Sequence, residues 1–572
     1  MTTQDQGRLG PQQRAASWAA LDGGRVDVLV VGGGVTGAGV ALDAATRGLS
    51  VALVEARDLA SGTSSRSSKL FHGGLRYLEM LDFGLVREAL HERDLLLTKI
   101  APHLVTPVQF LYPLVHRFWE RPYVGAGLLL YDALAGRSPM PRHRHLSRTT
   151  ALASCPALRP DALVGALSYF DASTDDARFT LDVARTAALH GAIIRPSTSV
   201  DALLQHEGRV TGARLRDVDT GEVVDVEAGV VIGCTGVWSD DLHRMAGVPN
   251  PFRVRASKGV HLLVTRAAIR SETGLILRTE KSVLFVVPWG EHWVVGTTDT
   301  PWDLALDHPA ATRADIDYIL DQLNRVLQRP LTDDDVVGVY AGLRPLLEPG
   351  DADGKSTTTL SREHTVAHPL PGLVSVAGGK YTTYRVMAKD ALDEAVKDLA
   401  GDVPSCVTES VPLLGAVGLL ATRNRLPLLS RQSGVPVDLL ERMLGRYGDQ
   451  LEEVLAPIGD DPMLARPLPG APQHVMAELV YGVTHEGALH LDDLLARRTR
   501  ISVDTSHRGV DCARVVAEAV AGVLGWTDAD LEREVDAYLK RVEQERASQT
   551  EGVDAAAQST RSVAPDLRAT TA

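Results

Sequence analysis

The pattern of apolar and polar positions sorts the chain into two kinds of segment. Val26 to Val31 is apolar apart from Asp27, runs into a glycine cluster, continues as a helix-like stretch to Arg47, and returns as a second apolar run at Leu49–Val54. That order predicts a β-α-β unit. Further strand-like runs occur at Val230–Ile232, Leu284–Val287, Trp293–Val295 and Leu373–Val376. Helical spacing with one charged face covers Glu88–Ile100, and Pro102 ends it. Beyond about Pro404 the pattern turns predominantly helical, through Pro436–Leu455, His474–Val483 and Cys512–Leu524. The fold class is therefore α/β with a mixed remainder, α+β overall, and a separate helical domain at the C-terminal end. The first 22 residues read as a loose leader without the basic start and apolar stretch of a secretory signal. The stretch 546–572, rich in Ala, Ser and Thr, reads as a disordered tail with little to bury.

Composition narrows the classes. With 44% hydrophobic and 23% charged residues in a chain of 572, a soluble protein of several domains is expected. A net charge of −14 argues against nucleic acid as a partner and makes any anion site local. The four cysteines, Cys155, Cys234, Cys406 and Cys512, form no CxxC pair, which argues against a metal knuckle or a disulfide framework and fits a reducing cytoplasm. No metal site is expected.

The glycine cluster carries chemistry. Gly32, Gly34 and Gly37 stand in GxGxxG spacing between a strand and a helix. The first glycine allows the tight turn, the second lets backbone approach a pyrophosphate, and the third lets helix pack on strand. Glu55 ends the next strand, where a carboxylate can accept hydrogen bonds from a ribose. This establishes a dinucleotide site without separating FAD from NAD. Ser61–Gly74 (SGTSSRSSKLFHGG) then supplies Thr63, Ser64, Ser65, Ser68, Lys69, Leu70 and His72, a small-residue loop placed to cradle a second phosphate and a flavin. No second GxGxxG follows a strand, so no NAD(P) site is expected.

These blocks, with CTGVWSD at 234–240, VGTTDT at 295–300, AGLRPL at 341–346, SREH at 361–364, VAGGKYTTYR at 376–385 and ARRTR at 496–500, resemble the FAD-dependent glycerol-3-phosphate dehydrogenases of the D-amino-acid-oxidase-like group. The resemblance spans about residues 25–540 in order. It implies a Rossmann-like FAD-binding domain assembled from 23–105, about 175–250 and 335–400. It also implies a β-sheet-containing substrate or cap domain from about 106–174 and 251–334, and a helical domain over 405–545. FAD is expected to be non-covalent, with Gly236, Gly378, Gly379, Lys380 and Thr382 also facing it. Oxidising a secondary alcohol needs a base, a cation near the developing alkoxide, and a phosphate anchor. The resemblance places His72 in the active site, as the base or as a group that orients the substrate; Arg344 and Lys380 are the cations expected near the reacting carbon, Lys380 supporting either the substrate oxygen or the reduced flavin. Arg76, Tyr77 and Arg362 suit a phosphate dianion, with Thr298 and Asp299 at a substrate-facing turn.

The implied reaction turns sn-glycerol 3-phosphate into dihydroxyacetone phosphate and passes electrons to a membrane quinone. Tyr112–Arg148 mixes Trp119, Tyr123 and Leu128–Tyr131 with Arg137, Arg142, His143, Arg144, His145 and Arg148. Basic residues beside an apolar patch suit an anionic membrane, and the resemblance implies peripheral attachment at the cytoplasmic face of the inner membrane. The apolar run Tyr123–Ala135 is too short to span a bilayer, which takes ~20 residues. The competing readings are an oxidase that uses dioxygen, an amine or amino-acid oxidase, and a flavin-bound structural or tRNA-associated protein. A homodimer is an assembly the sequence allows.

Overall fold

The structure is a computed structural model that describes residues 7–79, 81–280, 283–348 and 363–568. Its first sheet is built on the strand Arg25–Val31, which lies parallel between Val51–Val54 and Val223–Gly233. Ile193–Arg195 extends the sheet on one side and Leu373–Gly378, also parallel, on the other, with His364–Leu370 antiparallel at the edge. The central strands are buried on both faces, so their runs are continuously apolar and not alternating. The helix Val35–Thr46 packs between Asp176–Leu189 and Tyr384–Ala395. Its Gly37, Ala38, Gly39 and Ala41 leave room for that approach, since a methyl group at Gly39 would sit 3.0 Å from Ala388 and Tyr384.

A second sheet of ten strands packs beside the first, with Val254–Thr265 near one end, paired to Val336–Leu347 and His292–Gly296. One face buries Val260, Leu262, Trp293 and Val295 against the helix Arg313–Asn324. The other buries Phe110, Tyr169 and Leu263 against the helices Phe83–Leu95 and Glu120–Ala135.

Helices dominate after residue 405, with one short hairpin of Pro467–Leu468 and Ala471–Val475. This part docks on the first sheet through buried ion pairs. Asp58 receives Arg497 and Arg498, the latter at 2.7 Å, Asp176 receives Arg500 at 3.0 Å, and Glu486 receives Arg178. Removing one partner of such a pair costs about 3–5 kcal/mol, because a charge is left buried alone. ARRTR at 496–500 is thus the clamp between the two parts.

Several expected boundaries shift. The leader is ordered from residue 7: Pro11–Leu21 is a helix with Pro at its first position, Leu21 is fully buried, and Trp18 lies 4.4 Å beneath the Arg195 guanidinium. The tail is ordered to residue 568. Its helix Asp554–Arg561 packs on Asp528–Ser548, and Arg568 bonds both oxygens of buried Asp493 at 2.6 and 2.7 Å. Composition missed it because ion pairing, not apolar area, holds it. Val336–Leu347, expected in the nucleotide-binding unit, pairs antiparallel with Val254–Thr265 in the second sheet. The span Pro436–Leu455 breaks at Gly448, whose φ of +55° ends one helix before Leu451 starts the next.

Candidate active site

The glycine turn performs the tasks its spacing implies. Gly32 has φ +112°, and a methyl group on Gly37 would lie 1.9 Å from the Gly32 carbonyl oxygen. A methyl group on Gly34 would meet only the Ser64 hydroxyl, at 3.2 Å, so the backbone there is open to a large group. The helix that follows has no side-chain cap at Gly34, and Ser64 Oγ accepts a hydrogen bond from the Val35 N–H at 3.0 Å. Unpaired N–H groups at a helix start suit a pyrophosphate. Glu55 is held by the N–H groups of Gly33 at 2.7 Å and Arg57 at 2.8 Å, and burial raises its pKa against their pull. Gly236, at φ +57°, has open space where a side chain would stand. The turn, the acid and the open backbone fit FAD.

The loop from Thr63 onward is pinned on both sides. Thr63 Oγ1 donates to the Leu343 carbonyl at 2.6 Å, and Ser68 Oγ meets His261 Nε2 at 2.8 Å. Lys69 adopts φ +61°, and its ammonium is buried, bonded to Asp176 and to the Ser65 carbonyl. Burial and nearby Arg500 push its pKa down to about 8. The side chain expected at the cofactor is therefore a brace shared with the C-terminal clamp, and what Lys69 offers the cofactor is backbone. Leu70 and Phe71 pair with Ser173 and Ala172, which carries the loop into the second sheet.

His72 is fixed through its backbone. Its N–H donates to Thr382 Oγ1 at 3.2 Å, which ties the loop to the turn of Gly378, Gly379 and Lys380. These glycines have φ of +76° and +83°, and methyl groups there would strike Leu347 and Met387. Tight turning and packing explain them. The turn delivers Lys380 Nζ to 3.5 Å above the Tyr77 ring. Tyr77 itself lies on the short helix Leu75–Glu79. The Arg76 side chain and the whole of Arg362 lie outside the described residues.

Arg344 comes from the second sheet and stands beside Gly259, where a methyl group would fall 2.5 Å from its Nη2. It donates to Thr297 Oγ1 at 2.9 Å and to the Thr298 carbonyl at 3.3 Å, and lies 3.7 Å from Asp299. Thr298 and Asp299 thus orient Arg344, with Thr298 Oγ1 accepting from the Val260 N–H. Two groups therefore meet along residues 68–72: His72, Tyr77, Lys380 and Thr382 on one side, Arg344 and its supports on the other.

Three residues of this arrangement carry no motif. His261 stacks on Tyr340 at 4.9 Å, and burial, then Arg344 and Lys69, hold its pKa well below the ordinary value, so the ring is neutral. Asp176 reads in sequence as an acid at a helix start, and Tyr131 as one apolar position of a surface helix. Tyr131 in fact accepts the Gly73 N–H at 2.9 Å and donates to Asp171 at 2.7 Å. Among the described residues no group of His, Cys, Asp or Glu could hold a metal ion.

Residues 27–385 match the family of FAD-dependent oxidoreductases, and 406–531 match the C-terminal domain of alpha-glycerophosphate oxidase. Over 98% of this chain and 95% of the relative, the sequence is 56% identical to "Glycerol-3-phosphate dehydrogenase 2" of Mycobacterium tuberculosis. The chain belongs to the family of FAD-dependent glycerol-3-phosphate dehydrogenases. The mitochondrial glycerol-3-phosphate dehydrogenase of Bos taurus is 36% identical over 93% of this chain and 75% of its own length. The glycerol-3-phosphate dehydrogenase of Bacillus halodurans, solved in complex with FAD, superposes with a TM-score of 0.77 at 28% identity, covering 94% of this chain and 98% of that one. FAD is accordingly the cofactor of this family, and the geometry of the Gly32–Gly37 turn fits it.

Proposed function

We propose that the chain oxidises sn-glycerol 3-phosphate to dihydroxyacetone phosphate and passes the electrons to a membrane quinone. The observation that carries this reading is the meeting of Lys380 with Tyr77 and of Thr382 with His72, beside an oriented Arg344. Bound FAD supplies the acceptor for the hydrogen on the substrate's second carbon. His72 takes the hydroxyl proton, a role an imidazole can fill. Lys380 and Arg344 lower the cost of negative charge on that oxygen. Arg76, Tyr77 and Arg362 hold the phosphate, the guanidinium forks each spanning two oxygens.

The membrane arm rests on the surface around Glu120–Ala135. Phe118, Trp119, Tyr123 and Leu129 are exposed, Phe118 by 86%, and Arg142, Arg144 and Arg148 are exposed alongside. Aromatic rings next to basic side chains fit shallow insertion into an anionic leaflet. No helix of the described residues is long and apolar enough to cross a membrane.

Anaerobic titration of the FAD-loaded protein tests the substrate. Glycerol 3-phosphate is expected to bleach the flavin, while glycerol and a panel of amino acids leave it oxidised; bleaching by an amino acid instead would transfer the enzyme to the oxidases. Stoichiometric peroxide without reduction of a short-chain quinone would overturn the acceptor. Co-sedimentation with anionic vesicles, lost in a Phe118→Glu, Trp119→Glu double variant, tests the docking face.

A further inference from the structure

A partly open cavity of about 170 Å³ lies at the junction of the Arg57–Arg66 segment, whose Ser61 and Ser65 stand in its wall, the loop Asp307–Ala311, the helix Asp528–Ser548 and the segment Arg561–Arg568. Seven arginines against five carboxylates line it, a local excess of positive charge in a protein of net charge −14. Five of the seven are matched: Arg57 with Asp566, Arg497 with Asp493, Arg500 with Asp176, Arg541 with Glu545, and Arg568 with Asp493. Arg66 and Arg561 make no side-chain hydrogen bond or ion pair with any described residue, although Arg561 is only 9% exposed. Burial and the proximity of Arg497 and Arg561 push the pKa of Arg66 down to about 10, and burial lowers that of Arg561. Both remain charged at neutral pH; Glu545 and Asp492 offset part of that charge from beyond ion-pair distance, and a guanidinium as buried as that of Arg561 is costly without a direct partner.

We propose that this cavity is a second anion site that binds a compact phosphate-type oxyanion between Arg66 and Arg561. Two planar forks aimed into one space match the oxygens of a tetrahedral dianion. The volume fits that size: it exceeds several water molecules at ~30 Å³ each and falls below the ~300 Å³ at which pockets for larger ligands begin. Because its walls come from the loop that leads into the flavin cradle, both sheets' connections and the C-terminal helices, an anion here would cement the junction of all three parts.

Thermal melts of the FAD-loaded protein in inorganic phosphate, in glycerol 2-phosphate and in chloride at equal ionic strength test the site. The expected result is a midpoint that rises with phosphate and not with chloride, with affinity at least roughly tenfold weaker in Arg561→Gln, a loss equal to about 1.4 kcal/mol. Arg66→Gln, on a different element, is expected to do the same. In phosphate-free buffer both variants should melt no lower than the parent, because each removes a cation without a direct ion-pair partner from a cavity with an excess of positive charge. A structural arginine would lower the midpoint in every buffer. A rise with inorganic phosphate alone identifies the free ion as the ligand, and a rise with both identifies a phosphomonoester. Phosphate and chloride acting alike on the parent, or a phosphate response unchanged in both variants, would overturn the proposal.

Discussion

Gly34 and Gly37 sit one helical turn apart and are required for different reasons. A methyl group on Gly37 would press 1.9 Å from a backbone oxygen that cannot move aside, and overpacking of this kind costs about 1–3 kcal/mol. Gly37→Ala is therefore expected to lower the melting midpoint even without FAD. Gly34→Ala meets only a hydroxyl that can rotate, so the cofactor-free protein should melt near the parent while its FAD content after gel filtration falls. Equal apo midpoints for the two variants would refute this division. Lys380→Gln tests the chemistry at the same scale: FAD should be retained and kcat should fall about 10²–10³-fold, the cost of losing one group aimed at developing charge. Gly34 and Gly37 were legible because spacing marks them, and Lys380 only through the resemblance of the block around it. His261 was not, since a histidine on a buried strand has no signature until Ser68, Tyr340 and Arg344 are folded against it.

At the scale of elements, strands that are buried on both faces announced themselves as apolar runs, and Val26–Val31, Val230–Ile232 and Leu373–Val376 all fall in the first sheet. What periodicity lacks is partner choice. Val336–Leu347 reads as an apolar strand, and only its long pairing with Val254–Thr265 puts it in the second sheet. The helix Glu120–Ala135 shows the same limit in reverse. Its outer face carries exposed Tyr123 and Leu129, while its inner face sends Tyr131 to the loop beside His72. Tyr131→Phe would take the hydroxyl partner from the Gly73 N–H and one donor from Asp171, which keeps Arg93 at 2.8 Å and the Gly73 N–H. An orphaned buried polar group costs about 1–3 kcal/mol. The variant is expected to melt lower and to raise KM for glycerol 3-phosphate while keeping its FAD. An unchanged KM would mean that the helix steadies the fold without reaching the site.

Across the whole molecule, buried ion pairs run along the junctions between the parts, and such pairing leaves no mark in composition, which is why the leader and tail were illegible as ordered segments. Arg568 near the C-terminal end closes on Asp493, and Asp493 in turn holds Arg497 of the clamp. His490 belongs to the same seam, joining Asp219 at 2.9 Å to Glu534 at 2.8 Å, and so links the first sheet's meander to the helix Asp528–Ser548. Burial and the neighbouring Arg568 favour the neutral ring, but hydrogen bonds to Asp219 and Glu534 prevail and raise its pKa to about 9. A histidine raised in the folded state stabilises fully below its unfolded pKa of ~6.5 and loses that contribution as pH climbs through the folded value. The protein should therefore lose up to about 3 kcal/mol from this group between pH 6.5 and 9, the shift taken at ~1.4 kcal/mol per unit. Urea unfolding across that range checks it: the parent's midpoint should slope downward, and His490→Gln should start lower at pH 6.5 and run flatter. Parallel slopes for the two proteins would show that the proton holding this seam sits elsewhere.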